Sequence, residues 1–238
     1  MKTARRAPKE EPTGKLATEK RVPGRGTFAA ITGGASIVPL AVLFGLNFVD
    51  EFDRLAFATL TPEIRDAFNL SDSGITAVAT LSAVLTLIAA LPIGWLGDRI
   101  SRVRMAILAA ALWGTMAIAT GLVPSVIALF FVRFIAGIGR LSNESIHPSL
   151  LADYYPPPKH PAVFRIHRFA NPLAGVAGIL AGLIASALSW EWAFILLAFP
   201  TFLLILAAAF LREPVRGESI DAELAARVAA EGSVSFGE

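Results

Sequence analysis

Apolar segments of about 20 residues alternate with short polar connections over most of this chain. A bilayer core about 30 Å thick needs roughly 20 predominantly apolar residues for each helical span. Six segments meet that requirement, and they comprise residues 37–60, 75–96, 105–123, 126–150, 170–188 and 192–211. The pattern therefore predicts an all-α integral membrane protein with six transmembrane helices.

Composition supports a membrane protein and excludes several other classes. Of the 238 residues, 55% are hydrophobic and only 17% are charged, whereas about a quarter of an ordinary soluble domain is charged. The absence of cysteine excludes a thiolate metal site, and a net charge of +2 is too small to suggest a nucleic-acid partner. No Gly-x-Ser-x-Gly, His-Glu-x-x-His or paired metal-ligand motif occurs. We therefore expect no enzymatic activity, no catalytic residue, no metal and no cofactor.

The basic residues are concentrated in alternate connections. If the first span begins in the cytoplasm, eight of the 21 lysines and arginines lie in the N-terminal tail, and three lie in each of the later cytoplasmic segments. The connections on the outer side contain one, Arg65. This asymmetry follows the positive-inside rule, and it predicts that both termini are cytoplasmic.

Three regions are expected from these patterns. Residues 1–27 form a basic tail without an apolar face, which predicts disorder. Residues 28–212 form the six-helix transmembrane domain. In residues 213–238, Ile220, Leu224 and Val228 recur every fourth residue among charged ones, which predicts a short amphipathic helix on the cytoplasmic side.

One polar connection has an unusual order of residues. The sequence GWLGDRISRVR occupies residues 94–104, between the second and third predicted spans. Charge bias accounts for its arginines, but not for the order of glycines, aspartate and spaced basic residues. The stretch resembles the signature of the major facilitator superfamily, except that Ser101 stands where the family usually has glycine. The resemblance implies a conformational latch that balances inward-open and outward-open states, formed by Gly94, Gly97, Asp98, Arg99, Arg102 and Arg104.

Further matches follow in the same order along the chain. They are DRLAFATLTPEI (53–64), RFIAGIGR (133–140), PSLLADYYP (148–156), NPLAGVAGILAG (171–182), WEWAFILLAFP (190–200) and LREPVRG (211–217). Together they are similar to the Spinster-like branch of the superfamily, whose members move lysolipids, sphingolipid-type molecules or other amphiphiles. The resemblance implies a secondary active transporter that works by alternating access, here in a bacterial plasma membrane.

Ionisable residues inside predicted spans are candidate functional groups, because a charge at that depth is energetically costly. The first span contains Asp50, Glu51, Asp53 and Arg54. The fourth contains Asn143 and a series of residues at intervals of seven, four and three, namely Arg133, Arg140, Glu144 and His147. These intervals place the series along one helical stripe. We expect the stripe to face a cavity, with Asp50, Asp53, Arg54, Arg133, Arg140 and Glu144 forming the site for proton coupling or substrate binding.

Depth in the membrane predicts which of these charges meet. With a rise of 1.5 Å per residue, Asp53 and Arg133 lie roughly 13 and 12 Å below the outer boundary, and Asp50 and Arg140 lie roughly 18 and 22 Å below it. We therefore expect Asp53 to pair with Arg133 and Asp50 with Arg140. Either aspartate is a candidate for the proton-coupling acid, and the arginines are its partners or anchors for an anionic substrate.

Two considerations weigh against that interpretation. Buried charges often only satisfy one another, so static ion pairs that join the first and fourth helices are the alternative. Spinster-like proteins also usually have an acidic residue where this chain has Arg140, so coupling or substrate charge can differ here, and Glu144 one turn later is the residue that would compensate.

Six spans correspond to one half of a major facilitator, built as two inverted three-helix repeats, and the substrate site of such proteins lies between two halves. The expected partners are thus the lipid bilayer, a small-molecule or lipid-like substrate, and either a missing C-terminal six-helix half or a second copy. The alternative to a transporter is a non-transporting membrane scaffold or regulator, or a truncated remnant that retains the half-fold.

Overall fold

A computed structural model of the protein describes residues 27–97, 99–217 and 219, and helices with short turns account for all the regular structure in these ranges. The helices are α1 (Thr27–Thr32), α2 (Val38–Thr59), α3 (Thr61–Ala67), α4 (Asp72–Gly97), α5 (Arg102–Thr120), α6 (Val126–Tyr154), α7 (His160–Leu173), α8 (Val176–Ala187) and α9 (Trp190–Ala208), with a 3₁₀ turn at Pro157–Lys159. The predicted all-α class is confirmed.

Within the described ranges, five helical segments are long and apolar enough to cross a membrane, and they are Asp72–Ile93, Arg102–Thr120, Val126–Tyr154, Pro157–Ala187 and Trp190–Ala208. The helix α2 corresponds to the remaining predicted span. Its 22 residues extend about 33 Å, so it is long enough to cross. It differs from the other five because four charged residues lie between positions 50 and 54.

The fifth predicted span, over residues 170–188, overlaps the candidate membrane segment Pro157–Ala187, in which a two-residue turn separates two helices. The helix α7 ends at Leu173 and α8 begins at Val176. Pro172 lies within α7, where its missing N–H removes the helical bond to the Arg168 carbonyl one turn earlier, and the turn itself follows at Ala174 and Gly175. The backbone instead makes shorter-range bonds, from the Gly175 N–H to the Pro172 carbonyl and from the Ala177 N–H to the Ala174 carbonyl.

The helices pack in a pattern that repeats. The helix α6 packs against α4 and α5, α2 packs against α7, α8 and α9, and α5 packs against α9. If each of the first three spans is exchanged for its counterpart among the last three, these pairs of neighbours are exchanged with one another. The packing of α8 against α9 is an exception, because α4 and α5 do not form an equivalent pair. The repeated pattern is what two three-helix repeats of a half major facilitator fold require.

Two apolar clusters form the core, one at each end of α2. Near the start of α2, Leu43, Leu46, Trp113 and Leu150 are at most 1% exposed. Near its end, Leu60, Ile64, Leu129 and Phe194 are equally buried in a second cluster. The charged residues of α2 lie between these clusters, so apolar packing on both sides fixes their position.

Candidate functional site

Four charged side chains from two helices meet between the apolar clusters. The Nη1 atom of Arg133 lies 3.0 Å from Oδ2 of Asp53, and the Nε atom of Arg140 lies 2.6 Å from Oδ1 of Asp50. The side chains of Asp50, Asp53 and Arg133 are at most 8% exposed. Both pairs expected from membrane depth are therefore present, whereas their role in transport stays a prediction.

A third contact joins the two pairs into one cluster, and the sequence did not predict it. The Nη2 atom of Arg140 donates to Oδ2 of Asp53 at 3.1 Å, so Asp53 accepts from both arginines. The Arg133 guanidinium also lies 4.3 Å from the centre of the Phe57 ring, a favourable position for a cation. Asp50, Asp53, Arg133 and Arg140, called here the ion-pair cluster, balance two negative charges with two positive ones.

Glu51 and Arg54 form a second pair beside the cluster, with their closest atoms 2.6 Å apart. The Arg54 side chain is 55% exposed, and that of Glu51 is 9% exposed. Glu51 also accepts from the Asn171 amide at 3.2 Å, and Asn171 accepts from Asn47 at 3.0 Å. A chain of hydrogen bonds thus joins this carboxylate to α7 just before the helix breaks.

A cavity of about 430 Å³ opens beside these charges, between α2, α4 and α6. Its charged lining consists of Glu51, Arg54, Arg133, Arg140 and Glu144, and the rest is formed by small, hydroxyl or apolar residues, namely Phe57, Ala79, Ser82, Ala83, Thr86, Gly137 and Leu141. The mixture of guanidinium groups with apolar wall suits a ligand that has a polar and an apolar part.

The expected stripe on α6 is only partly correct. Arg133, Arg140 and Glu144 line the cavity, and Glu144 also pairs with Arg168 at 3.0 Å, with both side chains about half exposed. His147 does not face the cavity, which corrects that expectation. It is fully buried, and its Nδ1 atom lies 3.3 Å from Nε2 of His167 on α7.

A second polar network surrounds Arg102, one of the expected latch residues. Arg102 is 5% exposed. Its guanidinium donates to Asp153 at the end of α6, to the Ser149 hydroxyl at 2.9 Å, to Glu213 at 3.1 Å and to the Pro214 carbonyl at 2.9 Å. The chain that follows α9 is thereby attached to the first turn of α5 and the last turn of α6.

Glu213 is the acidic centre of this attachment. It accepts from the Ser101 hydroxyl at 2.7 Å and from the Val103 N–H at 2.8 Å, in addition to Arg102. Burial raises the pKa of the Glu213 carboxyl, but these hydrogen bonds outweigh burial, so its pKa lies below the ordinary value. Asp153 and Glu213 were not expected as site residues, although both lie in motifs that resemble the family.

The rest of the expected latch is described in part. The Arg99 guanidinium lies 3.7 Å from the centre of the Trp95 ring, and Arg104 is exposed. Asp98 lies outside the described residues, and of Gly94 and Gly97 only the helical backbone is described. The basic tail up to residue 26 and the expected amphipathic stretch with Ile220, Leu224 and Val228 also lie outside them.

Comparison with known proteins agrees with this geometry. The family model of the Major Facilitator Superfamily matches residues 43–234. Among curated relatives, "Protein spinster homolog 1" from Homo sapiens is 28% identical over 207 residues, which cover 84% of this chain and 39% of that protein. The "Sphingosine-1-phosphate transporter SPNS2" from Xenopus tropicalis is 25% identical over 163 residues, covering 67% of this chain and 32% of that protein.

Solved structures show the same arrangement of helices. A bacterial homolog of the human lysosomal transporter Spinster, in an inward-facing and occupied conformation, matches with a TM-score of 0.64 and 26% identity over 80% of this chain and 47% of that one. A D-xylose-proton symporter matches with a TM-score of 0.66 and 18% identity over 82% of this chain and 52% of that one. The chain therefore spans between about a third and a half of the length of these proteins.

Proposed function

Because the chain belongs to the major facilitator superfamily and its relatives are Spinster-like, we propose that it forms one half of a secondary active transporter for an amphiphilic, lysolipid-like solute. The transporter works by alternating access and is driven by protons. The chain is an integral, multi-pass membrane protein, and we propose that it lies in a bacterial plasma membrane with both termini in the cytoplasm.

The ion-pair cluster at the cavity wall is the observation on which the proposal rests. Buried charges are costly inside a membrane. This cluster places four charged side chains between the two apolar clusters, in a region where apolar side chains could have packed instead. Arg133 and Arg140 line the cavity directly. Protonation of an aspartate or arrival of an anionic group would therefore change the contacts that hold α2 to α6, which is a physical route from binding to conformational change.

Amphiphilic chemistry is supported by the mixed lining of the cavity. The guanidinium groups of Arg133 and Arg140 line it together with the apolar side chains of Phe57, Ala83 and Leu141. The name of the Xenopus relative states that it transports sphingosine-1-phosphate, a molecule that also has an anionic head and an apolar tail. These two observations together favour a single-chain lipid over a sugar.

The second wall of the transport path is supplied by another six-helix unit. In the superfamily, substrate binds between two halves near the middle of the membrane, and this chain covers 39% of the human relative. Apolar side chains on α4 are strongly exposed, with Leu87 at 72% and Leu91 at 83%. We propose that a further half of the same polypeptide or a second copy of the chain provides this wall.

The test is solute uptake by proteoliposomes that contain the native protein, with a panel of fluorescent lysolipids and an imposed pH gradient. We expect uptake that collapses when a protonophore removes the gradient. Asp53→Asn should abolish uptake in normally inserted protein, whereas Asp66→Asn, at an exposed position of α3, should leave it unchanged. Binding without gradient-dependent uptake, or loss of assembly as the sole effect of Asp53→Asn, would favour a scaffold or regulator instead.

A further inference from the structure

The two aspartates of the ion-pair cluster have different surroundings. Asp53 accepts from two guanidinium groups, because both Arg133 and Arg140 donate to its Oδ2 atom. Asp50 accepts from one, through its Oδ1 atom. The other oxygen of Asp50 is 3.2 Å from the amide nitrogen of Asn143, which is a neutral group. A proton that binds this oxygen is therefore repelled less by nearby positive charge than a proton that binds Asp53.

The buried amide of Asn143 has an unusual set of hydrogen bonds. It is 3% exposed, and its amide nitrogen donates to Asp50. Its amide oxygen is also buried, yet it accepts no hydrogen bond from any residue that the structure describes. Buried polar atoms in proteins are normally paired, so this unused acceptor next to a buried carboxylate calls for an explanation.

We propose that Asp50 is the carboxyl that takes up the transported proton and that Asn143 is the positioning residue that accommodates both of its protonation states. This inference rests on the proposed function. An amide has a donor nitrogen and an acceptor oxygen on the same carbon. In the state described here, the nitrogen donates to the Asp50 carboxylate. When a proton from water binds Oδ2 of Asp50, a half-turn of the amide brings the Asn143 oxygen to accept from the new O–H.

Protonation also changes the charge of the cluster. The four ionised side chains are neutral together, and a proton on Asp50 leaves a net charge of +1. The Arg140 Nε–H can still donate to Oδ1 of the neutral acid, but this bond is no longer one between a cation and an anion, so it becomes weaker. Arg140 is the member of the cluster with the most exposed side chain, at 22%, and it lines the cavity. Proton uptake at Asp50 thereby weakens the contacts that hold the Arg140 cation in the cluster.

Other charged groups near Asp50 do not change this assignment. On α2 they are Asp53, Glu51 and Arg54, and on α6 they are Arg133, Arg140 and the half-exposed Glu144. The helix α7 brings His167, which contacts α2 by accepting from Asn47 through its backbone carbonyl. The sequence of α8 has no charged residue, and the acidic residue of α9 is Glu191 in its first turn.

Infrared difference spectroscopy during a pH titration tests the proposal, because it detects the carbonyl band of a protonated carboxylic acid and the probe is the proton itself. The native protein is titrated in nanodiscs, with no solute added. We expect a band that appears on acidification, persists in Asp53→Asn and is absent from Asp50→Asn. Loss of the band in Asp53→Asn with retention in Asp50→Asn, or absence of any such band in the native protein, would overturn the proposal.

A second pair of variants keeps the test decisive if Asp50→Asn does not fold. Asn143→Thr and Asn143→Val have the same shape, but only threonine has a hydroxyl that can both donate and accept. Threonine should keep the native band and midpoint. Valine removes a donor from the ionised form, where that bond is strongest, so its midpoint should rise by about one pH unit and its band should shift. Identical titrations for the two variants would contradict a role for Asn143.

The titration and the uptake measurement together distinguish an error in the assignment to Asp50 from an error in the proposed function. Ser145→Ala, an exposed change on the same helix, serves as the control for both the titration and uptake. If uptake follows the pH gradient but the band belongs to Asp53, the transporter is proton-driven and the assignment to Asp50 is wrong. If the band belongs to Asp50 but uptake ignores the gradient, the proton site exists and the proposed coupling is wrong.

Discussion

A Cβ atom added to Gly137 would lie 2.3 Å from the hydroxyl oxygen of Thr86. At this point α6 and α4 approach as closely as the absence of a side chain permits. Both residues also line the cavity. The packing of these two helices and the shape of the candidate substrate site therefore depend on the same pair of positions.

Gly137→Ala should separate α4 from α6 and destabilise the protein. Overpacking costs about 1–3 kcal/mol, and we expect the difference from the control variant to fall in this range. The control is Gly182→Ala, where an added Cβ meets no atom within 4 Å. Thermal unfolding in detergent measures both, and Thr86→Ala should restore part of the loss in Gly137→Ala. Equal unfolding temperatures for the two alanine variants would contradict the prediction.

Asp53 and Arg133 should be energetically coupled. Removing one partner leaves a buried charge with fewer contacts, which costs about 3–5 kcal/mol. The double variant Asp53→Asn with Arg133→Gln should therefore lose less stability than the sum of the single variants, with a coupling of about 1–3 kcal/mol. A double-mutant cycle measures this by unfolding and, in parallel, by uptake. The exposed pair Arg65 and Asp72 is the control and should show no coupling, whereas simple additivity for Asp53 and Arg133 would contradict their pairing.

Arg102→Lys should release the segment that follows α9. Lysine keeps the charge but has one nitrogen, and it cannot reproduce the fork that contacts Asp153, Glu213 and the Pro214 carbonyl together. We expect a loss of about 2 kcal/mol and faster tryptic cleavage within residues 212–217. Arg165→Lys, on the exposed side of α7, should leave the cleavage rate unchanged. An unaltered rate in Arg102→Lys would show that other contacts hold the segment.

The same attachment should weaken in acid. The pKa of Glu213 in the folded protein is below its ordinary value of 4.5, so its ionised form stabilises the fold. That stabilisation is complete above the ordinary pKa and disappears as the pH falls through the lowered folded-state value. The unfolding temperature of the native protein should exceed that of Glu213→Gln at neutral pH, and the difference should shrink on acidification. A difference that does not depend on pH would contradict this linkage.

The sequence predicted the helices and the pairing of α2 aspartates with α6 arginines, because both depend on distance along the helix axis. Asp53 and Arg133 could be matched by depth alone. The second contact of Arg140 could not, since it depends on how far apart α2 and α6 lie laterally. His147 was placed wrongly because positions seven residues apart drift by about 20° on a straight helix. Two heptads beyond Arg133 the drift is about 40°, and His147, almost one turn beyond Glu144, meets His167 of α7 instead of the cavity.

The attachment around Arg102 was beyond sequence reasoning for another reason. Glu213 is 111 residues from Arg102, and no periodicity links a turn after the last helix to the start of α5. Asp153 and Glu213 each occur in a stretch that resembles the family, and that resemblance was the one signal that could have singled them out. Their hydrogen bonds to Arg102 depend on packing that brings three separate segments together.

The turn at Ala174 and Gly175 distinguishes the fifth span, because each of the other spans that the structure describes is one continuous helix. A straight helix answers a change in bilayer thickness by tilting over its whole length. The fifth span consists of two helices of 14 and 12 residues, α7 and α8, so we expect a change in bilayer thickness to alter the angle between them. Because Asn171 joins the end of α7 to α2, we expect such bending to leave the ion-pair cluster in place.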